Sequence, residues 1–279
     1  MPHHIHVEEW VKRAEHDYFV MFIKAWIPFN AWYKRECTLA AIPNTSDSAC
    51  ISFVCDQPNV FKTKIISLLN GVDKESRRFK MELAELHDAL NRHVIPEPAS
   101  AINFSTMVPG ITSPSLVELD FRSYHYKIER VRSGDSFSYV IRVEDKNTHL
   151  PKYTKNLNKW DPTLITSDPD FNLINSDECK RKIIEFFSNV NPKKPFNIVL
   201  PIRTLPDGTK QRPAHAIEIS KDLDVYFIDD KEKIAKVLIR LLYQLRCELF
   251  HASLLPSSNN MEVYEHAYKI QYQLINELV

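Results

Sequence analysis

Glycine is scarce in this sequence, and its four copies, Gly71, Gly110, Gly134 and Gly208, lie far apart. Neither GxGxxG nor GxxxxGKS/T can be written anywhere, so the phosphate cradles that need clustered glycines for close backbone approach are excluded. The HExxH pattern of zinc proteases is missing as well. No apolar run approaches the roughly 20 residues needed to cross a bilayer, so no membrane span is expected. Cysteine arithmetic is equally uninformative for disulfides: Cys37, Cys50, Cys55, Cys179 and Cys247 are an odd set without CxxC, which reads as a reducing compartment. Net charge is absent too, since Lys+Arg and Asp+Glu both number 36. No global field draws the chain to a polyanion, and nucleic-acid binding would have to come from local patches. The opening Met1-Pro2-His3-His4-Ile5-His6 lacks the apolar stretch of a secretory signal. The expectation is a cytoplasmic protein.

What is present is enough apolar material to bury a core, at 44% of residues. Over residues 7–40, Trp10, Ala14, Phe19, Phe22, Trp26, Phe29 and Tyr33 recur at three- and four-residue steps, which predicts one long helix. Pro28 sits inside it, where it removes a hydrogen bond and crowds the preceding turn, so a kink is expected. Residues 58–70 and 74–93 predict two further helices separated by Gly71. The four prolines between Ile95 and Pro114 mark a linker.

The periodicity then changes. Val117, Leu119 and Phe121 alternate with Glu118 and Asp120, and Phe137, Tyr139, Ile141 and Val143 alternate likewise, which predicts half-buried strands. Ser133-Gly134-Asp135 supplies a turn between strands. Residues 145–175 are polar and proline-punctuated and read as loop. Ser176 is placed to cap a helix from Asp177 to Val190, with Ile183, Ile184, Phe187 and Val190 inward. Further strands are expected at 197–203, 214–219 and 224–228, with a Pro206-Asp207-Gly208 turn. Helix returns with Ile234, Val237, Leu238, Leu241, Leu242, Leu245 and Leu249, and a last helix runs from about Met261. The expected class is α+β: an antiparallel helical bundle built from residues 1–95 and 230–279, interrupted by a β-rich insert over 111–229.

The penultimate helix ends Tyr243-Gln244-Leu245-Arg246-Cys247-Glu248-Leu249-Phe250-His251. An Arg followed by His after four residues, near the end of such a helix, resembles the Rx4-6H signature of HEPN ribonucleases. The setting is similar too: a loop and a last helix follow, and the first helix carries a WxxFNAxY-type stretch from Trp26 through Phe29, Asn30 and Ala31 to Tyr33. The resemblance covers about 95 N-terminal and 50 C-terminal residues. It implies a HEPN-like bundle, a homodimer with two Arg/His sets around one cleft, and metal-independent RNA cleavage leaving a cyclic phosphate. It also implies, from the family's habits, a toxin or antiviral effector with a neutralising partner protein. Members usually carry Asn or Asp directly after the Arg, and this chain has Cys247. A second reading therefore stays open: a catalytically silent module that binds RNA, a nucleotide or a partner protein. A third places an unrelated enzyme site in the insert, which offers no carboxylate pair, metal cluster or nucleophile–base set.

Elementary chemistry is compatible with the first reading. RNA cleavage without metal or cofactor needs a group to take the 2′-OH proton and a fixed cation to meet the charge gathering on phosphate. His251 suits the first task, because imidazole titrates near working pH, and Arg246 suits the second through its planar, permanently charged fork. At about 100° per residue the two lie roughly 140° apart on an ideal helix, so they converge only if the helix ends before His251 or if two subunits pool residues. Arg246 shares its face with Ile239, Tyr243 and Phe250, a second apolar stripe suited to a partner copy. Asn30 and Glu248 are supporting candidates, the first for orienting Arg246 and the second for steering the protonation of His251. In the insert, Arg122, Tyr124, Tyr126, Arg130 and Arg132 combine cations with aromatics, and the strand period of two groups them on one face, the mixture that binds single-stranded RNA. The stretch with Lys152, Tyr153, Lys155, Lys159 and Trp160 has the same flavour.

Overall fold

Asp17 accepts a hydrogen bond from the Val20 N–H and opens the first helix, α1 (Tyr18–Leu39), which runs through Pro28. The computed structural model describes residues 17–93, 95, 101–107, 113–134, 136–250 and 257–278. Phe22, Ala25, Trp26, Phe29, Trp32, Tyr33 and Cys37 form the buried face of α1, at the three- and four-residue steps of an amphipathic helix. Three helices follow: α2 (Asp47–Asp56), α3 (Val60–Asn70) and α4 (Lys74–Arg92), each begun by a side-chain cap, from Ser46, Asn59 and Asp73. Helix α2 is absent from the sequence expectation; its buried face is Cys50, Ile51, Val54 and Cys55, and all five cysteines are free thiols.

The chain separates into two compact units, one of Met1–Pro109 with Pro195–Val279 and one of Gly110–Lys194. In the first, helices α8 (Lys231–Phe250) and α9 (Ser258–Ile275) join α1 to α4. Ile234, Val237, Leu238, Leu241, Leu242 and Leu245 share one core with Phe22, Phe29, Phe61, Leu83 and Ile270, so α8 and α9 fold together with α1 to α4. The Tyr264 hydroxyl is buried there and donates to the Leu245 carbonyl at 2.7 Å, which meets the requirement that a buried polar group be paired.

Residues 195–229 also belong to this unit. Strands β5 (Val199–Leu200), β9 (Val225–Ile228) and β8 (Ala216–Ser220) form an antiparallel sheet in the order β5-β9-β8. A small hairpin, β6 (Arg203–Thr204) with β7 (Lys210–Gln211), turns at Gly208, whose φ of +82° favours glycine. Sequence patterning drew the insert to residue 229. The division falls at 194 instead, because Ile198, Ile219, Val225 and Phe227 share one apolar core with the helices. Phe227 packs against Phe104 and edge-on to His87, and burial lowers the His87 pKa.

The second unit is a four-stranded antiparallel sheet, β1 (Leu116–Phe121), β2 (Tyr124–Ser133), β3 (Ser136–Asp145) and β4 (Pro151–Leu157), paired in chain order. Two single-turn helices, α5 (Thr163–Thr166) and α6 (Pro169–Asn172), lead to α7 (Asp177–Asn189). Ser176 caps α7 through the Cys179 N–H. Ile183, Phe186 and Phe187 share a core with Tyr126, Ile128, Ile141 and Val143. The stretch expected to be loop thus contains a strand and two helical turns. The architecture is mixed α+β with antiparallel sheets.

Candidate functional site

The buried stripe of α8 fixes where its other residues point. Leu241, Leu242 and Leu245 face the core, which leaves Arg246 at the margin, with its side chain 21% exposed four residues before Phe250. Its Nη2 lies 3.2 Å from Asp47 Oδ2. Asp47 opens α2, where a carboxylate is favoured by the helix dipole, and its other oxygen meets the Lys34 ammonium of α1 at 2.8 Å. Burial works against ionising Asp47, but Lys34 and Arg246 more than offset it and hold its carboxyl below the ordinary range. Two cations share one carboxylate, so the cluster keeps a net positive charge.

Aromatic rings surround it. The Arg246 guanidinium stands 4.3 Å from the centroid of Phe250, itself 55% exposed, in cation–π geometry. Tyr243 packs against Trp26 at 6.3 Å between centroids, and burial together with the neighbouring Cys247 thiol pushes its hydroxyl up to about 12. Burial and the Asp47 carboxylate raise the Tyr33 hydroxyl likewise. Arg246 Nε is buried and, among the described residues, has no hydrogen-bond partner.

Asn30 Oδ1 is buried and, among the described residues, has no hydrogen-bond partner, whereas Asp47 is the carboxylate paired with Arg246. Glu248 is only 7% exposed and is engaged in the fold rather than solvated. It lies near Tyr264, whose hydroxyl is kept protonated first by burial and then by that carboxylate. His251 lies outside the described residues; α8 is described through Phe250, the residue before it. Ile239, expected on the exposed stripe, is fully buried. Sequence reasoning missed Asp47 and Lys34, although Ser46 before Asp47 is a helix-start signal.

The insert's candidates divide. Tyr126 is buried edge-on against Phe186 at 5.3 Å. Arg130 is 8% exposed and spends its guanidinium on the Ser113 hydroxyl and the Ser113 and Val190 carbonyls. With Ile128 they form the core face of β2, which corrects the expectation of an open platform: α7 covers it. Tyr124 is half-buried beside a cavity, Arg122 pairs with Glu178, and Arg132 bonds the Gly134 carbonyl at 3.1 Å in its own turn. The five do not form one patch.

Among the described residues no group of His, Cys, Asp and Glu is arranged to hold a metal ion, and no helix is long and apolar enough to cross a membrane. Comparison with protein-family models, curated proteins and solved structures finds no match.

Proposed function

We propose that the helical unit is a HEPN-like domain and that it cuts RNA without a metal, with Arg246 and His251 as the reacting pair. The observation that carries this reading is a part-exposed guanidinium near the C-terminal end of the penultimate helix, paired with Asp47 and with its Nε unpaired among the described residues. The cores of both chain ends supply the setting that the Arg-to-His spacing resembles. In the proposed reaction the imidazole of His251 takes the proton from a ribose 2′-OH, and O2′ attacks the adjacent phosphorus. The P–O5′ bond breaks, the leaving oxygen takes a proton, and a 2′,3′-cyclic phosphate remains. Arg246 offsets the charge that gathers on the phosphate oxygens. Two copies are proposed to meet over Tyr243 and the exposed Phe250, bringing two such pairs to one cleft, and a neutralising protein would cover the same face. The proposed setting is cytoplasmic.

Substrate chemistry tests this directly. Incubated with pooled RNA in EDTA, the protein is expected to leave 2′,3′-cyclic phosphate ends and to spare RNA methylated at every 2′-oxygen. Cutting of the methylated RNA would exclude attack by the 2′-OH. Cys247, at the position where a polar neighbour of the Arg is usual, favours a second reading, a silent RNA-binding module. That reading expects RNA retention with no new ends.

A further inference from the structure

In the second unit the start of β3, the end of β4 and the end of α7 surround a cavity of about 480 Å³. This is within the range of about 300–1,000 Å³ typical of small-ligand sites. Phe137 and Trp160 line it, and each has one face already committed. Arg130 lies 5.3 Å over the Phe137 ring, and Trp160 stacks on Phe187 at 5.8 Å and 8°. The Trp160 indole N–H donates to the Phe187 carbonyl at 3.1 Å, which fixes the ring.

Beside Tyr139 and Pro192, the rest of the lining is polar, and none of it is acidic. Asn158 and Asn191 contribute carboxamides, which both donate and accept; Asn191 Oδ1 already accepts from the Lys193 N–H at 2.9 Å. Lys159 and Lys193 stand at the rim. Lys159 is paired with Asp161 at 3.1 Å, whereas Lys193 has no ion pair among the described residues. Carbonyls at the end of α7, which would repel an anion, are partly capped: Trp160 takes that of Phe187 and Arg130 that of Val190.

We infer that this cavity binds a nucleobase with its phosphate, presented by single-stranded RNA: the base packs on Trp160 and Phe137, Asn158 and Asn191 meet its edge, and Lys193 meets the phosphate. Lysines at the rim disfavour a cationic ligand, and two carboxamides disfavour a purely apolar one. Aromatic faces, amide edges and an unpaired cation together match a nucleotide. The choice of RNA over DNA rests on the proposed cleavage; the pocket chemistry does not.

The test uses the full chain and a short fluorescent single-stranded oligonucleotide carrying 2′-O-methyl groups, which cannot be cut by 2′-OH attack, so binding is read apart from cleavage. Fluorescence anisotropy is expected to give saturable binding, weakened about tenfold or more by Trp160→Leu and by Lys193→Glu, with a shallower salt dependence for the latter. Lys193 is exposed, so Lys193→Glu decides the matter if Trp160→Leu does not fold. Both variants binding as wild type does, or no saturable binding by wild type at millimolar oligonucleotide, overturns the inference. Uridine monophosphate competing as well as the oligonucleotide would also overturn it, by assigning the site to free nucleotides.

Discussion

Asp47→Asn removes the carboxylate that Lys34 and Arg246 share while keeping its shape. An exposed ion pair is worth about 0.2–1 kcal/mol, and stripping one partner from a buried pair costs about 3–5 kcal/mol. Side-chain exposures of 21% for Arg246, 26% for Asp47 and 37% for Lys34 place this network between those limits and nearer the lower one. The expected loss is about 1–2 kcal/mol, including the repulsion of two cations left facing each other. At about 2–4 °C per kcal/mol for a domain of 150–250 residues, Tm should fall by about 2–8 °C. The pH dependence has a definite sign. Because the folded carboxyl titrates below its ordinary range, its contribution is fully present above that range and is lost as pH falls through the lowered folded value. Urea denaturation of wild type and Asp47→Asn from neutral to acid pH should therefore converge at the acid end. A double-mutant cycle with Arg246→Gln should give a coupling of about 1 kcal/mol. Equal stability of the two proteins at neutral pH, or strict additivity in the cycle, would refute the assignment of Asp47 as the group that holds Arg246.

Arg130→Ala strands the carbonyls of Val190 and Ser113 in the second unit and should cost about 2–3 kcal/mol of stability. Calorimetry reads this, and a neutral result would mean that water replaces the guanidinium. Gly71→Ala places a Cβ 1.9 Å from Ser76 Oγ and 2.8 Å from both Ser76 Cβ and Asp73 Oδ2, so the cap of α4 must shift. Asp73, held down to about 2 by the Ser76 N–H and hydroxyl, should then titrate closer to an ordinary carboxyl; an unchanged NMR titration would contradict this. His125 is raised by its hydrogen bond to Asp120. That pairing contributes below the ordinary histidine range and is lost as pH rises through the raised folded value. Asp120→Asn should lower its NMR midpoint.

Long periodic segments were legible because burial of one helix face leaves a repeating trace. Residues 74–93 and the run from Ile234 to Leu249 show this, and Ser176 marked its helix by the cap it supplies. Helix α2 was not legible, since ten residues with two cysteines on the buried face give too short a period to read. Strand β4 was hidden for a similar reason: only Tyr153 and Leu157 are buried, and the polar residues between them look like loop. A period of two groups Tyr126 with Arg130 but cannot say which face the sheet buries. Ile128 and Ile141, paired across the strands, decide that. In the candidate site, the place of Arg246 follows from the stripe of its own helix, whereas Asp47 reaches it only through tertiary packing, which no local pattern encodes. The reach of the insert to 229 rested on strand content alone, and strands β5, β8 and β9 are claimed by the helical core.

The central claim, that Arg246 and His251 cut RNA together, is met most directly by one rate comparison. Wild type, Arg246→Ala and His251→Ala are each given a fluorophore–quencher RNA in EDTA, after matched unfolding curves confirm all three are folded. Cutting by wild type and its loss in both variants is the predicted result. A wild-type rate that neither substitution changes would contradict the account.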